Sequence, residues 1–373
     1  MEIQASTPAR TMARLVRLGT SQLLHQSLQP ISRRTGLILN RPTSIFLEIT
    51  SECLMRCQMC DMWRNEDDPA VLSVEEKITL LQHLRDWLGP FRVSFTGGEP
   101  LMQRKQLCAL TRYCADHAIL TSTNTAALAI TDSIADEILA SGLTELHISL
   151  DSTCAETHDR MRGRPGTFKR ILHLIDYLNR HGRHMRLATR AIIHRHNLKE
   201  LVPMVSWAKE LGLDGVGFHP LESKAVFGEY EPFTPSWYTQ HELWPADSGL
   251  VQEVLDELIT LKEQGAPIDT ATDHLRQIKQ YYLAPNSVGL ERNCYTGVKN
   301  LIISAQGDVR LCFIMPPIGN VRQHSPHDLW QSHEAAERRA LIKECTQNCS
   351  VIACNRRYSL QAQIKPFWQR VFS

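Results

Sequence analysis

Residues 44–60 read SIFLEITSECLMRCQMC. Ser44–Ile49 is a short apolar run rich in β-formers, the pattern of a buried strand. Cys53, Cys57 and Cys60 follow at once, spaced C-x3-C-x2-C. Three thiolates on so short a loop can wrap one face of a cubane iron–sulfur cluster. The fourth iron then has no protein ligand, and a small chelating molecule can bind there. Zinc is the alternative, with a fourth Cys or His supplied from elsewhere.

Outward from this loop, residues 44–222 alternate between two periods. Strand-like runs recur at Arg92–Phe95, Ile119–Ser122, Glu145–Leu150, Arg186–Ile192 and Gly215–Phe218. Helical spacing fills the gaps at Val74–Trp87, Gln103–His117, Asp132–Ser141, Thr167–His181 and Leu198–Leu211. Gly142 and Gly212 each follow a helical run, where a left-handed cap belongs. The repeat predicts an α/β fold with a parallel sheet under outer helices. Six βα units make a partial (βα)6 TIM-like barrel, with its chemistry at the C-terminal strand ends.

The second strand ends in Thr96-Gly97-Gly98-Glu99-Pro100. Two glycines allow close backbone approach to a ligand. Glu99 offers a carboxylate to an ammonium group. A tight βα turn is the plain alternative, and the preceding cysteine loop is what favours function.

Together these residues resemble the radical S-adenosylmethionine (SAM) superfamily, over roughly half the chain. The resemblance implies a [4Fe–4S] cluster on Cys53, Cys57 and Cys60, with SAM chelating the open iron. It implies that Gly97, Gly98 and Glu99 help hold the amino group of SAM. It also implies reductive cleavage to a 5′-deoxyadenosyl radical, which takes hydrogen from an unactivated C–H bond. The stretch His147-Ile-Ser149-Leu-Asp151-Ser152 resembles the family's "S-L-D" segment, followed by His158, Asp159 and Arg162-Gly163. Ser149 and Asp151 become candidates for the ribose and methionyl groups of SAM. Asn124 resembles the "TNG" stretch, with Thr125 where the family has glycine. Met59 stands where many members have an aromatic residue beside adenine, and its polarizable sulfur can pack on a ring. No residue is singled out as catalytic.

Five more cysteines lie between 294 and 354: Cys294, Cys312, Cys345, Cys349 and Cys354. A strand at Asn300–Ile303 and a turn at Gly307 bring Cys312 back towards Cys294. This resembles the SPASM or twitch extension that holds auxiliary clusters. Five thiolates can fully ligate one cluster but not two, so one auxiliary [4Fe–4S] cluster is expected. Which two of Cys345, Cys349 and Cys354 join Cys294 and Cys312 stays open, and a zinc-ribbon-like unit is the alternative. The expected organisation is a basic, helical extension at 1–43, the barrel at 44–222 and a connecting or lid segment at 223–290. A cluster domain at 291–356 and a helical tail at 357–373 complete it.

Of the chain's 373 residues, 43% are hydrophobic and 22% charged, as in ordinary globular proteins. Net charge is +1, so no overall field argues for nucleic acid or membrane. No stretch approaches the roughly 20 apolar residues of a membrane span. Residues 1–43 carry six arginines against Glu2, read as a packed amphipathic helix around Leu15–Leu28, with a transit peptide as the alternative. Eleven cysteines in a long chain point to a reducing, cytoplasmic setting. Cys108 and Cys114 read as buried thiols. Cys154 could return hydrogen to a substrate radical, as an epimerase requires. The resemblance implies a small-molecule or peptide substrate, oxidised or cross-linked, and a reducing partner such as flavodoxin or ferredoxin. An iron–sulfur carrier or scaffold without catalysis is the alternative of another class.

Overall fold

The computed structural model describes residues 8–65, 70–128, 130–222, 237–285, 294–345, 347, 349 and 355. The expected tail at 357–373, Cys354 and most of the Pro-rich stretch 227–245 lie outside them.

Six parallel strands form the barrel wall: β1 (Ser44–Thr50), β2 (Arg92–Gly97), β3 (Leu120–Thr125), β4 (Glu145–Ser149), β5 (Arg186–Ile192) and β6 (Gly215–His219). Along them stand α2 (Val74–Leu88), α3 (Arg104–Asp116), α4 (Asp132–Leu139), α6 (Thr167–Arg180) and α7 (Leu201–Glu210). Each differs from the sequence reading by only a few residues. The pleat sorts the side chains. Ile45, Leu47, Ile49, Val93, Phe95, Leu146 and Ile148 point outward and join the core. The inner face is polar, with Ser94 hydroxyl-bonded to Ser122 at 2.8 Å and Arg190 donating to His147 at 3.0 Å.

The N-terminal end of the barrel is closed by charge. Arg92, Glu145 and Arg186 are the first residues of β2, β4 and β5. Glu145 takes both arginines, and Arg186 also reaches Asp269. Such a network at the end opposite the strand C-termini reads as stability.

Two further helices follow, α8 (Ser248–Glu263) and α9 (Thr272–Leu283), packed on each other. Only the first had a sequence signal. Between them, residues 267–269 pair with Val216 and extend the open edge of the barrel.

The cysteine-bearing end of the chain is continuous with the barrel sheet. β7 (Asn300–Ile303) pairs in parallel with β1, and β8 (Asp308–Arg310) and β9 (Gly319–Asn320) continue antiparallel. The short α10 (Thr296–Lys299), α11 (Pro326–Gln331) and α12 (His333–Glu344) complete this end. The N-terminal α1 (Pro8–Thr35) runs longer than the expected Leu15–Leu28, and its last turns pack beside α10. No helix among the described residues is long and apolar enough to cross a membrane.

Candidate functional site

The cysteine loop leaves β1 at the C-terminal end of the barrel and is clamped from two sides. On one side the Gly98 amide donates to Thr50 O and the Glu99 amide to Glu52 O, each at 2.9 Å. The glycines are there for this contact. A Cβ on Gly97 would lie 2.1 Å from Thr50 O, and one on Gly98 would lie 1.9 Å from Glu52 O. Thus the close approach read from the sequence is made to the cysteine loop itself. On the other side stands α5 (Ala155–Arg162), a helix the sequence reading did not single out. Its last carbonyls, of Met161 and Arg162, accept from the amides of Gln58 and Arg56. Gly163 turns away at φ +66°, where a Cβ would lie 2.2 Å from Arg56 O.

Cys53, Cys57 and Cys60 are half-buried and share one volume. Burial pushes Cys53 up to about 11, opposed by the Met55 amide, with Glu99 and Cys57 adding to the rise. Burial pushes Cys60 up to about 12, opposed by the Met62 amide and reinforced by Cys57 and Cys53. Buried neutral thiols beside aimed amides suit thiolates that a metal will deprotonate, since a coordinating thiol loses its proton outright. Cys57 is raised by burial, and the largest opposing effect is the Arg162 guanidinium.

Arg162, which the sequence reading named without a role, stands beside this loop. Its Nε pairs with Asp151 Oδ2 at 2.7 Å, and its Nη1 lies 3.9 Å from Cys57 Sγ. Asp151 has no exposed surface, and its other oxygen accepts from the Ile192 amide at 3.0 Å. Burial alone would raise its pKa, but Arg162, then His158 and His194, hold it below the usual range. Asp151 thus holds Arg162 and the Ile192 amide at the end of β4.

Glu99 is buried and takes three protein donors: the Leu101 amide, the Thr125 hydroxyl and the Ala126 amide at 2.7 Å. Burial raises its pKa and these donors oppose the rise. A carboxylate has about four lone-pair sites, so one stays available. Asn124, next to last in β3, and Ser149, last in β4, lie on the inner face. Asn124 Oδ1 is buried without a hydrogen-bond partner, an acceptor that suits a ligand's hydroxyl or amine. Ser149 keeps accessible surface. Met59 packs against a small apolar cluster of Met161, Leu221 and Leu243, which Ile192, Trp237 and Trp244 also flank.

The second set of thiols meets at the other end of the sheet. Burial pushes Cys294 up to about 12; the Thr296 amide opposes it, and Cys312 and Cys345 add to it. Cys349 is raised well above its ordinary value by burial, then by Cys294, Cys312 and Cys345. Cys312 receives the Ile314 and Met315 amides. Four thiols thus converge among the described residues, Cys345 and Cys349 lying near Cys294 and Cys312. No trio of His, Cys, Asp or Glu among the described residues is spaced to hold a single metal ion. Thiolates on separate irons of a cluster stand further apart than ligands of one ion, so the two observations agree. Glu222, just past β6, is pushed up to about 8 by burial, and it adds to the rise of Cys349.

Of the remaining cysteines, Cys108 and Cys114 are buried in α3. Cys154 is exposed at the N-cap of α5, where the Thr157 and Glu156 amides lower its pKa. His194 is buried, and its amide donates to Asn197 Oδ1 at 2.9 Å.

Residues 47–208 match the model of the radical SAM superfamily, and residues 294–355 match the SPASM iron–sulfur cluster-binding domain. The AdoMet-dependent heme synthase of Methanosarcina barkeri is 26% identical over 325 residues, covering 84% of this chain and 88% of that one. The PqqA peptide cyclase of Xanthomonas euvesicatoria is 24% identical over 330 residues, covering 83% and 80%. In fold, the crystal structure of Streptococcus suis SuiB bound to S-adenosylmethionine is similar at a TM-score of 0.64. It is 18% identical and covers 86% of this chain and 76% of that one.

Proposed function

The chain belongs to the radical SAM superfamily and carries a SPASM domain, and on that premise we propose that Cys53, Cys57 and Cys60 hold its SAM-cleaving cluster. The observation that carries this reading is the company these thiols keep. Their charged neighbours are Arg56, Arg162, Glu99 and Asp151, and among the described residues no fourth thiol acts on them. That leaves one iron for SAM.

When bound, the cluster and SAM supply a 5′-deoxyadenosyl radical that abstracts hydrogen from a substrate C–H bond. The chain's own residues fix the geometry. The Gly98 and Glu99 amides and the end of α5 set the cysteine loop. Glu99, Asn124 and Ser149 offer acceptors at the strand ends for the polar groups of SAM, and Arg162 offers a cation beside Cys57. Asp151 orients Arg162. Met59 and its apolar neighbours take the adenine.

Cys294, Cys312, Cys345 and Cys349 hold one auxiliary [4Fe–4S] cluster in this reading. An electron acceptor so placed favours oxidation or cross-linking of the substrate. The substrate is a small biosynthetic molecule, a reading supported by the near full-length match to a heme synthase. A peptide is the second reading, supported by the match to a peptide cyclase. The reducing partner is a flavodoxin or ferredoxin in a reducing cytoplasm, and all ten described cysteines are unpaired thiols.

The test is anaerobic reconstitution with iron and sulfide, then reduction and addition of SAM. Formation of 5′-deoxyadenosine and methionine in equal amounts is expected. Intact clusters without 5′-deoxyadenosine would sink the enzyme reading in favour of a carrier or scaffold. The exposed Cys154 keeps an epimerase testable. Solvent deuterium in a product of unchanged connectivity would favour it over oxidation.

A further inference from the structure

The inner wall of β4, β5 and β6 carries a second polar set below the strand ends. Across the sheet Arg190 is the Cα partner of Ser149 on one side and of Gly217 on the other, and Ile192 is that of His219. Arg190 Nη2 reaches down to His147 Nε2 at 3.0 Å. His147 stands two residues before Ser149 on the same face. The guanidinium therefore lies one layer, about 7 Å along the strand, below the proposed SAM contacts. Arginine can only donate, so His147 Nε2 accepts and the ring proton sits on Nδ1. That Nδ1 is buried with no hydrogen-bond partner. A buried donor is costly to leave unmade, so it marks a place for an acceptor.

Further observations concern the same wall. Ser149, Arg190 and His219 face the barrel interior yet keep accessible surface, so they border open space. Gly217 leaves room between two of them. A Cβ there would lie 3.7 Å from Arg190 Cγ and 3.7 Å from His219 Nε2, which is ordinary contact. Burial, then Arg190, hold His147 and His219 well below the ordinary histidine range. Both rings are therefore neutral beside a cation. Glu145, the acid on this face of β4, takes Arg92 and Arg186 one layer further down. Its 3.4 Å to His147 Nε2 is beyond a good hydrogen bond. A metal ion does not suit the set: the guanidinium repels it, and no trio among the described residues is spaced for one.

We propose that Arg190, with the His147 and His219 rings beside it, binds a carboxylate of the substrate in the space that Gly217 leaves open. One guanidinium among neutral imidazoles matches a monoanion, and its planar fork matches a carboxylate. The fork has five donors, so the bond to His147 does not exhaust it. Anchored one layer below Ser149, the substrate carries its C–H bond up towards the strand ends, where SAM is cleaved. This deepens the small-molecule reading above and rests on it.

The full-length chain, reconstituted anaerobically, is first saturated with S-adenosylhomocysteine. Failure of the wild type to bind it would sink the SAM reading and this proposal with it. With that binding intact, benzoate is added and followed by saturation-transfer NMR, with benzamide as the neutral isostere. Benzoate should bind with a dissociation constant of about a few mM, and benzamide at least about tenfold more weakly. Arg190→Gln should weaken benzoate at least about tenfold, and Arg190→Lys, which keeps the charge without the fork, by less. Gly217→Val keeps every donor and fills the gap, so it should weaken benzoate as well. S-adenosylhomocysteine should bind all three variants as it binds wild type. If Arg190→Gln loses every ligand through misfolding, Arg190→Lys and Gly217→Val carry the test. Undetectable benzoate binding, equal binding of benzamide, or wild-type benzoate binding in the variants would overturn the proposal and leave the SAM reading standing. So would loss of S-adenosylhomocysteine from Arg190→Gln while 5′-methylthioadenosine, which lacks the amino-acid carboxylate, still binds. The carboxylate on Arg190 would then be that of SAM.

Discussion

The Arg162 guanidinium joins Asp151 to Cys57: Nε lies 2.7 Å from the Asp151 carboxylate and Nη1 lies 3.9 Å from the Cys57 sulfur. Asp151 closes the turn after β4, and Cys57 sits on the loop after β1. One buried cation therefore ties two strand ends that are three strands apart in the sheet.

Arg162→Lys keeps the charge but loses the planar fork, so it cannot serve both partners at once. Iron loading should stay near wild type. SAM cleavage should fall about 10- to 100-fold, the usual cost of losing a group that orients a metal site from its second layer. Asp151→Asn should lower cleavage in the same direction and lower the thermal midpoint as well, because it strands a buried guanidinium. Both are read by 5′-deoxyadenosine formation, iron assay and thermal melting. Unchanged cleavage in Arg162→Lys would remove Arg162 from the site.

Gly98→Ala and Gly163→Ala probe the two clamps. Each would drive a Cβ into a backbone carbonyl of the cysteine loop, at 1.9 Å and 2.2 Å. Neither carbonyl can move without moving the loop. Iron should fall from about eight to about four per chain. Gly182→Ala is the control. It has a comparable φ of +67° but meets nothing within 4 Å. It should cost about 1 kcal/mol of stability and no iron. Equal iron in all three variants would show that the clamps do not set the loop.

Much of this was legible in the sequence, and the reasons differ by element. The six strands and five outer helices announce themselves because one face of each is apolar at a fixed period. Gly142 and Gly212 mark real left-handed turns, at φ +78° and +69°. By contrast, α5 carries mostly polar residues and has a weak apolar stripe, with only His158, Met161 and Arg162 buried. Its role is to present carbonyls to the cysteine loop, which no periodicity records. The parallel pairing of β7 with β1 was also invisible. It joins residues about 255 apart in sequence, and nothing in a four-residue apolar run names its neighbour. The approach of Cys345 and Cys349 to Cys294 and Cys312 needed the end of α12 to be in place, and Cys354 lies outside the described residues. Glu48 and Glu222 were missed because a buried carboxylate looks like any other in sequence.

Glu48 makes a pH prediction. It lies on the inner face of β1, accepts from the Ala305 amide at 3.2 Å, and is pushed up to about 7 by burial. Its folded pKa exceeds the ordinary 4.5. Between those values the folded state holds a proton that the unfolded state has lost, so stability falls as pH rises from about 4.5 to 7 and is level above. A shift of this size corresponds to about 3 kcal/mol. Glu48→Gln removes the ionisation. It should melt higher than wild type at pH 8, and the gap should close below pH 4.5. A constant gap across that range would show that Glu48 does not titrate as its burial requires.

The auxiliary quartet separates Cys345 and Cys349 from the other thiols. Cys349 is enclosed, and Cys294, Cys312 and Cys345 all act on it. Removing its sulfur leaves three ligands for a cluster that needs four. Cys345→Ser and Cys349→Ser should each lower iron to about four per chain. The barrel loop is untouched in both, so reductive SAM cleavage by a small reductant should persist within a few-fold. Substrate oxidation should be lost, because the electron released by the substrate radical then has no acceptor. Cys154→Ser should keep about eight irons and both activities, since Cys154 is exposed at a helix cap. If Cys154→Ser alone abolished product while SAM cleavage continued, hydrogen return by that thiol would replace oxidation as the second half of the reaction. Iron assay, 5′-deoxyadenosine yield and product mass on the same four proteins decide between these outcomes.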